Sequence, residues 1–67
     1  MEREAAEEVI AANGEQVERW LRNEPGAWGF LAGQAVLACR NRLGRTLEEG
    51  ERRRIWSTLW ALLEARR

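Results

Sequence analysis

The sequence contains no histidine, no aspartate and no lysine, and it has one cysteine, Cys39, and one proline, Pro25. A lone cysteine excludes an internal disulfide, and the absence of histidine removes the Cys/His zinc sites that often stabilise small domains. The usual acid–base pairs and activated nucleophiles are missing as well. The composition therefore predicts a protein with no catalytic residues, no cofactor and no metal site.

Long apolar runs are also absent. No stretch approaches the roughly 20 residues that a membrane-spanning helix requires. The first eight residues, MEREAAEE, are acidic and unlike a signal peptide. We therefore expect a cytoplasmic protein that does not engage a membrane.

The chain is short, and its core must come from few residues. A chain of 67 residues forms one domain at most and buries only about 60% of its unfolded surface. Each aromatic side chain can bury about 150–250 Å². We therefore expect the aromatic residues to supply much of the core; they are Trp20, Trp28, Phe30, Trp56 and Trp60.

Helix-forming residues dominate, and β-branched residues are few and scattered, which predicts an all-α fold. The sequence predicts a compact single-domain bundle of three or four helices covering about 2–12, 15–22, 25–43 and 47–65. A break at Asn13-Gly14 is preferred over one long helix, although apolar spacing continues through Asn13.

The later boundaries rest on three local signals. Pro25 suits a first helical position, so the third helix is expected to begin near it. Gly44 is expected to end that helix in a left-handed cap. Thr46 and Glu49 have the spacing of a capping box for the fourth helix.

The third predicted helix is apolar on most of its circumference. Its main apolar stripe consists of Trp28, Leu31, Ala32, Ala35, Cys39 and Leu43. A second sector holds Gly29, Gly33, Val36 and Arg40, and its two glycines each cost about 1 kcal/mol relative to alanine. Such a strip admits another backbone, either a neighbouring helix of this chain or an external protein or nucleic acid anchored by Arg40.

Two sequence blocks, VIAANGEQVERW and WGFLAGQAV, resemble the tail domain of the GatB/YqeY family. The matching positions are Val9, Ile10, Ala11, Asn13, Val17, Glu18, Gly29, Phe30, Leu31, Gly33 and Gln34. In tRNA-dependent amidotransferases this domain is the C-terminal helical domain of the GatB polypeptide, and some glutaminyl-tRNA synthetases carry a related one. Gly14 replaces the family's proline, and the amidotransferase catalytic body is absent from this sequence.

The resemblance implies a free-standing, non-catalytic tail module that contacts the folded shape of tRNA, alone or together with a larger tRNA-processing enzyme. Gly29, Gly33, Arg40, Arg42 and Arg45 are the expected contacts, because guanidinium groups suit phosphate oxygens. The chain has zero net charge and a pI near 6.3, so this binding is expected to be weak and salt-sensitive.

A second arginine cluster spans 52–54, but Glu48 and Glu49 precede it at i, i+4 spacing, which is typical of a solvated, salt-bridged helix turn. In the last helix, Trp56 and Trp60 widen the apolar arc. The tryptophans are interpreted as covering the core or as an exposed interaction surface for a homodimer or another protein, with a membrane-surface helix as a third interpretation.

Two function hypotheses follow: a tRNA-associated module and a small protein-interaction or dimerisation bundle. A continuous positive strip joining Arg40, Arg42 and Arg45 across Gly29 and Gly33 would favour RNA. Charged side chains that form ion pairs with one another around an apolar patch would favour a protein ligand.

Overall fold

The computed structural model describes every residue from Met1 to Arg67 and contains helices but no strands. The four helices are α1 (Glu2–Ala12), α2 (Gly14–Leu21), α3 (Ala27–Leu43) and α4 (Glu49–Glu64). The predicted all-α bundle is confirmed. The predicted boundaries differ from these by no more than two residues.

All four helices contribute to one hydrophobic core. The largest side chains that are fully buried are Leu31 on α3 and Ile55, Leu59 and Leu63 on α4. Much of the remaining core is alanine: Ala5, Ala6, Ala27, Ala32 and Ala35. The small alanine side chains bury little apolar area each, so this core is modest even for a short chain.

The aromatic residues do not fill the core as predicted. Only Trp20 is buried, Trp28 is half-buried, and Phe30 is 42% exposed. Trp56 and Trp60 are also exposed. The helical repeat explains Phe30: it lies about 100° around α3 from the buried Leu31, so the helix turns its ring away from the core.

The chain breaks between α1 and α2 at one residue, as preferred from the sequence. Asn13 leaves the helical region with φ −128° and ψ 47°. Its Nδ2 donates a hydrogen bond to the carbonyl oxygen of Val9 at 2.9 Å, and its own carbonyl oxygen accepts from the amide of Val17. Asn13 therefore ends α1, where its side chain caps one terminal carbonyl group, and begins α2, where its carbonyl oxygen accepts the first hydrogen bond of the helix.

The turn between α2 and α3 corrects the expectation for Pro25. Helix α2 ends in a Schellman motif: Asn23 has φ 61°, its amide donates to Trp20 and the amide of Glu24 donates to Arg19. Gly26 follows at φ 87°, which is not a helical conformation. Helix α3 therefore begins after Gly26, and Pro25 lies in the turn.

The connection between α3 and α4 confirms one predicted cap and corrects another. Gly44 adopts φ 71° and donates its amide to the carbonyl oxygen of Arg40 at 2.8 Å, as expected for a left-handed cap. Thr46 does not begin α4. The side chain of Leu47 is buried in the core outside the helix, and Glu48, whose backbone is extended, is the N-cap residue. The amide of Glu48 donates to Glu51 Oε1 at 2.9 Å.

Candidate interaction surface

Helix α3 presents two apolar faces, and only one of them is buried in the core. The inner face carries Leu31, Ala35 and Cys39, all of which are buried. The outer face, here named the glycine face, consists of Gly29, Phe30, Gly33, Leu37 and Arg40. All five residues are exposed, and Leu37 keeps 46% of its surface in solvent.

No neighbouring helix covers the two glycines. A Cβ atom built on Gly29 or on Gly33 would meet no other atom within 4 Å. The interpretation that a helix of the same chain packs tightly against them is therefore wrong, because such a helix would fill this space. The interpretation that an external backbone approaches them stays a prediction.

A row of side chains on α4 lies beside the glycine face. This tryptophan row consists of Arg52, Trp56 and Trp60, which follow one another at i, i+4 spacing. Trp56 Nε1 donates to the carbonyl oxygen of Ala32 at 3.3 Å, and Ala32 immediately precedes Gly33. The tryptophan row therefore runs along α3, next to Gly29 and Gly33 of the glycine face.

Trp60 sits at the end of this row nearest the beginning of α3. Its ring meets those of Trp20 and Trp28 edge to face, each with a centroid separation of 5.2 Å. It nevertheless keeps 46% of its surface in solvent, and Trp56 keeps 37%. The tryptophans therefore cover the edge of the core and also leave apolar surface exposed. The interpretation that a partner binds this surface stays a prediction.

The glycine face and the tryptophan row together form one surface. Phe30 and Leu37 flank Gly33 on α3 at i−3 and i+4, while Trp56 and Trp60 lie on the α4 side. Four of the five exposed large hydrophobic residues of the chain belong to this surface; the fifth is Met1. Exposed apolar residues that are clustered rather than scattered indicate an interaction site.

The arginines expected to bind phosphate do not form one continuous free strip. Arg42 pairs with Glu8 of α1, and both Nη atoms of Arg45 lie 2.8 Å from the carboxylate oxygens of Glu51. Arg40 makes no ion pair. The structure therefore brings Gly29, Gly33 and Arg40 together on one face and turns Arg42 and Arg45 towards partners within the chain.

The second arginine cluster divides in the same way. Arg53 pairs with Glu49 at 2.8 Å and Arg54 with Glu2 at 3.2 Å, whereas Arg52 makes no ion pair. Arg52 is the first residue of the tryptophan row, and α4 runs antiparallel to α3, since Trp60 meets Trp28 and Trp56 meets Ala32. Arg52 and Arg40 therefore mark the same end of the surface.

The Arg45–Glu51 pair at this end is bidentate, with two hydrogen bonds of 2.8 Å. The two hydrogen bonds from Arg45, together with that from the Glu48 amide, lower the pKa of Glu51 from 4.5 to about 2. The same carboxylate raises the pKa of Arg45. Arg45 is thus held to the beginning of α4.

The remaining chemistry-bearing residue is Cys39, on the inner face of α3. Burial, and then the charges of Glu2 and Glu51, raise the pKa of its thiol. A raised pKa leaves little thiolate, which is the nucleophilic form. No group of three or more Cys, His, Asp or Glu side chains is placed to hold a metal ion, and none of the helices is long and apolar enough to cross a membrane.

Comparison with family models, curated proteins and solved structures finds no match. The resemblance to the GatB/YqeY tail stays a prediction.

Sequence reasoning identified Gly29, Gly33, Arg40, Trp56 and Trp60, and the structure places all five on one surface. It missed Phe30, Leu37 and Arg52 as members. The spacing of Phe30 and Leu37 around Gly33 was a usable signal, because residues at i−3 and i+4 share a helix face. No signal in the sequence identifies Arg52 as a member of the surface, because its lack of an ion-pair partner depends on the tertiary arrangement.

Proposed function

We propose that the protein is a non-catalytic helical module that binds an α-helix of a protein through the glycine face and the tryptophan row. The observation that carries this proposal is the open space above Gly29 and Gly33, bordered by exposed Phe30, Leu37 and Trp56. A cytoplasmic location is part of the proposal.

The physics of helix packing supports a helical ligand. Two glycines at i, i+4 remove side chains along one ridge, so a second helix axis can approach closer than the usual 8–10 Å. Trp56 and Trp60 supply large apolar surfaces, and tryptophan is enriched among the residues that dominate binding energy. The cost of two glycines in a helix interior is then offset by binding.

The chemistry of the chain supports a non-catalytic role. Its only thiol, that of Cys39, is buried and has a raised pKa. The carboxylate with the strongly shifted pKa, Glu51, is held by Arg45 and is lowered rather than raised. Neither residue has the properties of a nucleophile or a general acid at neutral pH.

The test combines capture with reconstitution. Wild-type and Gly33→Glu chains are used to capture proteins from the native host, and each captured protein is then produced alone. Isothermal titration calorimetry should give a dissociation constant that Gly33→Glu raises at least about 30-fold, as expected at the centre of an interface. Circular dichroism should be unchanged, because the added side chain meets open space.

Gly50→Glu is the matched control, because Gly50 is also an exposed helical glycine with open space around it. It lies outside the glycine face and should bind like wild type. Equal binding by Gly33→Glu and wild type for every reconstituted partner, including the chain itself, would overturn the proposal. So would the absence of any partner.

A second candidate, tRNA binding, is favoured by one specific observation. Arg40 and Arg52 make no ion pair, and Arg40 lines an open polar depression together with Asn41, Gly44, Arg45 and Thr46. Free guanidinium groups beside a polar depression suit a phosphate backbone. The sequence resemblance to the GatB/YqeY tail supports the same candidate.

Fluorescence anisotropy with unfractionated tRNA tests this candidate. It predicts weak binding that decreases with salt, and a salt slope that falls by about one when Arg40 is replaced by alanine. Gly33→Leu should abolish that binding while preserving the helical content. Binding that is absent at low salt, or unchanged in Arg40→Ala, would eliminate tRNA as a ligand of this surface.

A further inference from the structure

We propose that the helix bound at the glycine face is α3 of a second copy of this chain, crossing antiparallel at Gly33. This inference rests on the proposed function, since it names the partner of the same surface. The dimer is symmetric: each copy contributes its glycine face and its tryptophan row, and a two-fold axis passes beside Gly33.

The opposite ends of the surface complement each other. One end carries two arginines without an ion pair, Arg40 and Arg52. The other end carries the exposed ring of Trp60, while Glu24 at that end is paired with Arg22. An antiparallel crossing places the cationic end of one copy against the aromatic end of the other, which favours cation–π contacts.

The distances along the helix fit this pairing. Arg40 lies seven residues after Gly33, or about 10 Å along the axis at 1.5 Å per residue, and Trp28 lies five residues before it, or about 8 Å. The ring of Trp60 is 5.2 Å from that of Trp28. When two copies cross at Gly33, Arg40 of one therefore comes level with Trp60 of the other.

Symmetry and size point to a second copy rather than a different protein. Two-fold symmetric dimers are the commonest oligomers, and they require one patch that complements itself when reversed. The glycine face and the tryptophan row together meet this requirement, because the unpaired arginines lie at one end of the surface and Trp60 lies at the other. The core also relies on alanines and leaves Trp56 and Trp60 exposed, and small domains of this kind are commonly stabilised by association.

Sedimentation equilibrium of the full chain is the first test. Wild type should be a dimer at high micromolar concentration, and Gly33→Glu should raise the dimer dissociation constant at least about 30-fold. Gly50→Glu, with the same charge change at another open helical glycine, should remain dimeric. A monomeric wild type would overturn the inference.

Cysteine cross-linking tests the position of the axis. In a Cys39→Ala background, Gly33→Cys should form an intermolecular disulfide on mild oxidation, since thiols beside the axis meet the short Cα–Cα distance a disulfide needs. Gly50→Cys should not. Equal cross-linking at both positions would contradict a crossing at Gly33.

A double-mutant cycle tests the antiparallel orientation. Arg40→Ala and Trp60→Leu should each weaken the dimer, and their effects should be coupled by a factor of about 2 to 30, the range for a cation over a tryptophan ring. Arg66→Ala is the control, because Arg66 also lacks an ion pair but lines the depression between α1 and α4. Additive effects would contradict the antiparallel arrangement.

The outcomes separate this inference from the function on which it rests. A monomeric wild type that still loses a reconstituted partner in Gly33→Glu would refute the second copy and leave the proposed function standing. A dimer that persists unchanged in Gly33→Glu would show that association uses another surface, and the inference would fail.

Discussion

The inner and outer faces of α3 are both apolar but have opposite surroundings. Leu31, on the inner face, is fully buried among the other helices, whereas Leu37, on the outer face, keeps nearly half its surface in solvent. The two leucines differ in their neighbours and not in their chemistry. Apolar periodicity therefore identifies the apolar faces of a helix, while the tertiary arrangement decides which of these faces is buried within the chain.

The largest expected effect on stability comes from truncating a buried side chain on the inner face of α3. Leu31→Ala should lower the free energy of unfolding by about 2–5 kcal/mol, because a fully buried side chain is removed and leaves a cavity. For a domain of this size, each 1 kcal/mol shifts the melting temperature by roughly 4–8 °C. Urea denaturation or a thermal melt measures the loss.

Leu37→Ala is the matched control on the outer face and should change the stability of the dilute monomer by less than about 0.5 kcal/mol. If both substitutions cost the same, the two faces of α3 would not differ as the structure describes.

The next largest effect concerns the end of α3. Gly44→Ala should cost about 1–2 kcal/mol, because Gly44 has φ 71° and a Cβ is strained in the left-handed region. The measurement is again the urea midpoint. An unchanged midpoint would remove the left-handed cap, since the space around Gly44 is open and strain is the only expected source of loss.

At Gly33, in contrast, a substitution by alanine is expected to stabilise the fold. In the dilute monomer, Gly33→Ala should raise the free energy of unfolding by about 0.5–1 kcal/mol, because a helical alanine loses less conformational entropy than glycine and meets no neighbour here. The thermal melt should be done at low micromolar concentration, where the proposed dimer dissociates. A destabilised monomer would mean that a neighbouring group does occupy this space.

Much of the fold could be predicted from local signals. The break at Asn13 and the cap at Gly44 follow from residue types that favour non-helical or left-handed conformations. The start of α4 could not be predicted in this way. Thr46 and Glu49 have correct capping-box spacing, but burial of Leu47 in the core decides where the helix begins.

The candidate surface was predictable in its apolar part and not in its charges. Spacing alone placed Gly29 and Gly33 with Arg40 on one face. The pairing of Arg42 with Glu8 joins residues 34 positions apart, so it depends on how α1 packs against α3. Local sequence contains no information on such a contact, and for that reason Arg42 was expected to be free.

The smallest predicted effect is a change in the pH dependence of stability, and it distinguishes the paired Arg45 from the unpaired Arg40. The pKa of Glu51 is about 2 in the folded protein against 4.5 as its ordinary value. A lowered pKa means that the ionised carboxylate favours folding above pH 4.5 and that this contribution is lost as pH falls towards 2. Glu51→Gln should therefore make stability less dependent on pH in this range.

Urea midpoints measured at several pH values between 4.5 and 2 give the comparison. Arg45→Met should flatten the profile in the same way as Glu51→Gln, because it removes the guanidinium whose hydrogen bonds contribute most to the lowered pKa. Arg40→Met is the matched control and should leave the slope unchanged, since Arg40 makes no ion pair with Glu51 or any other carboxylate. Equal slopes in wild type, Arg45→Met and Glu51→Gln would mean that Arg45 is as free in solution as Arg40, and the division between paired and unpaired arginines at this end of α3 would be lost.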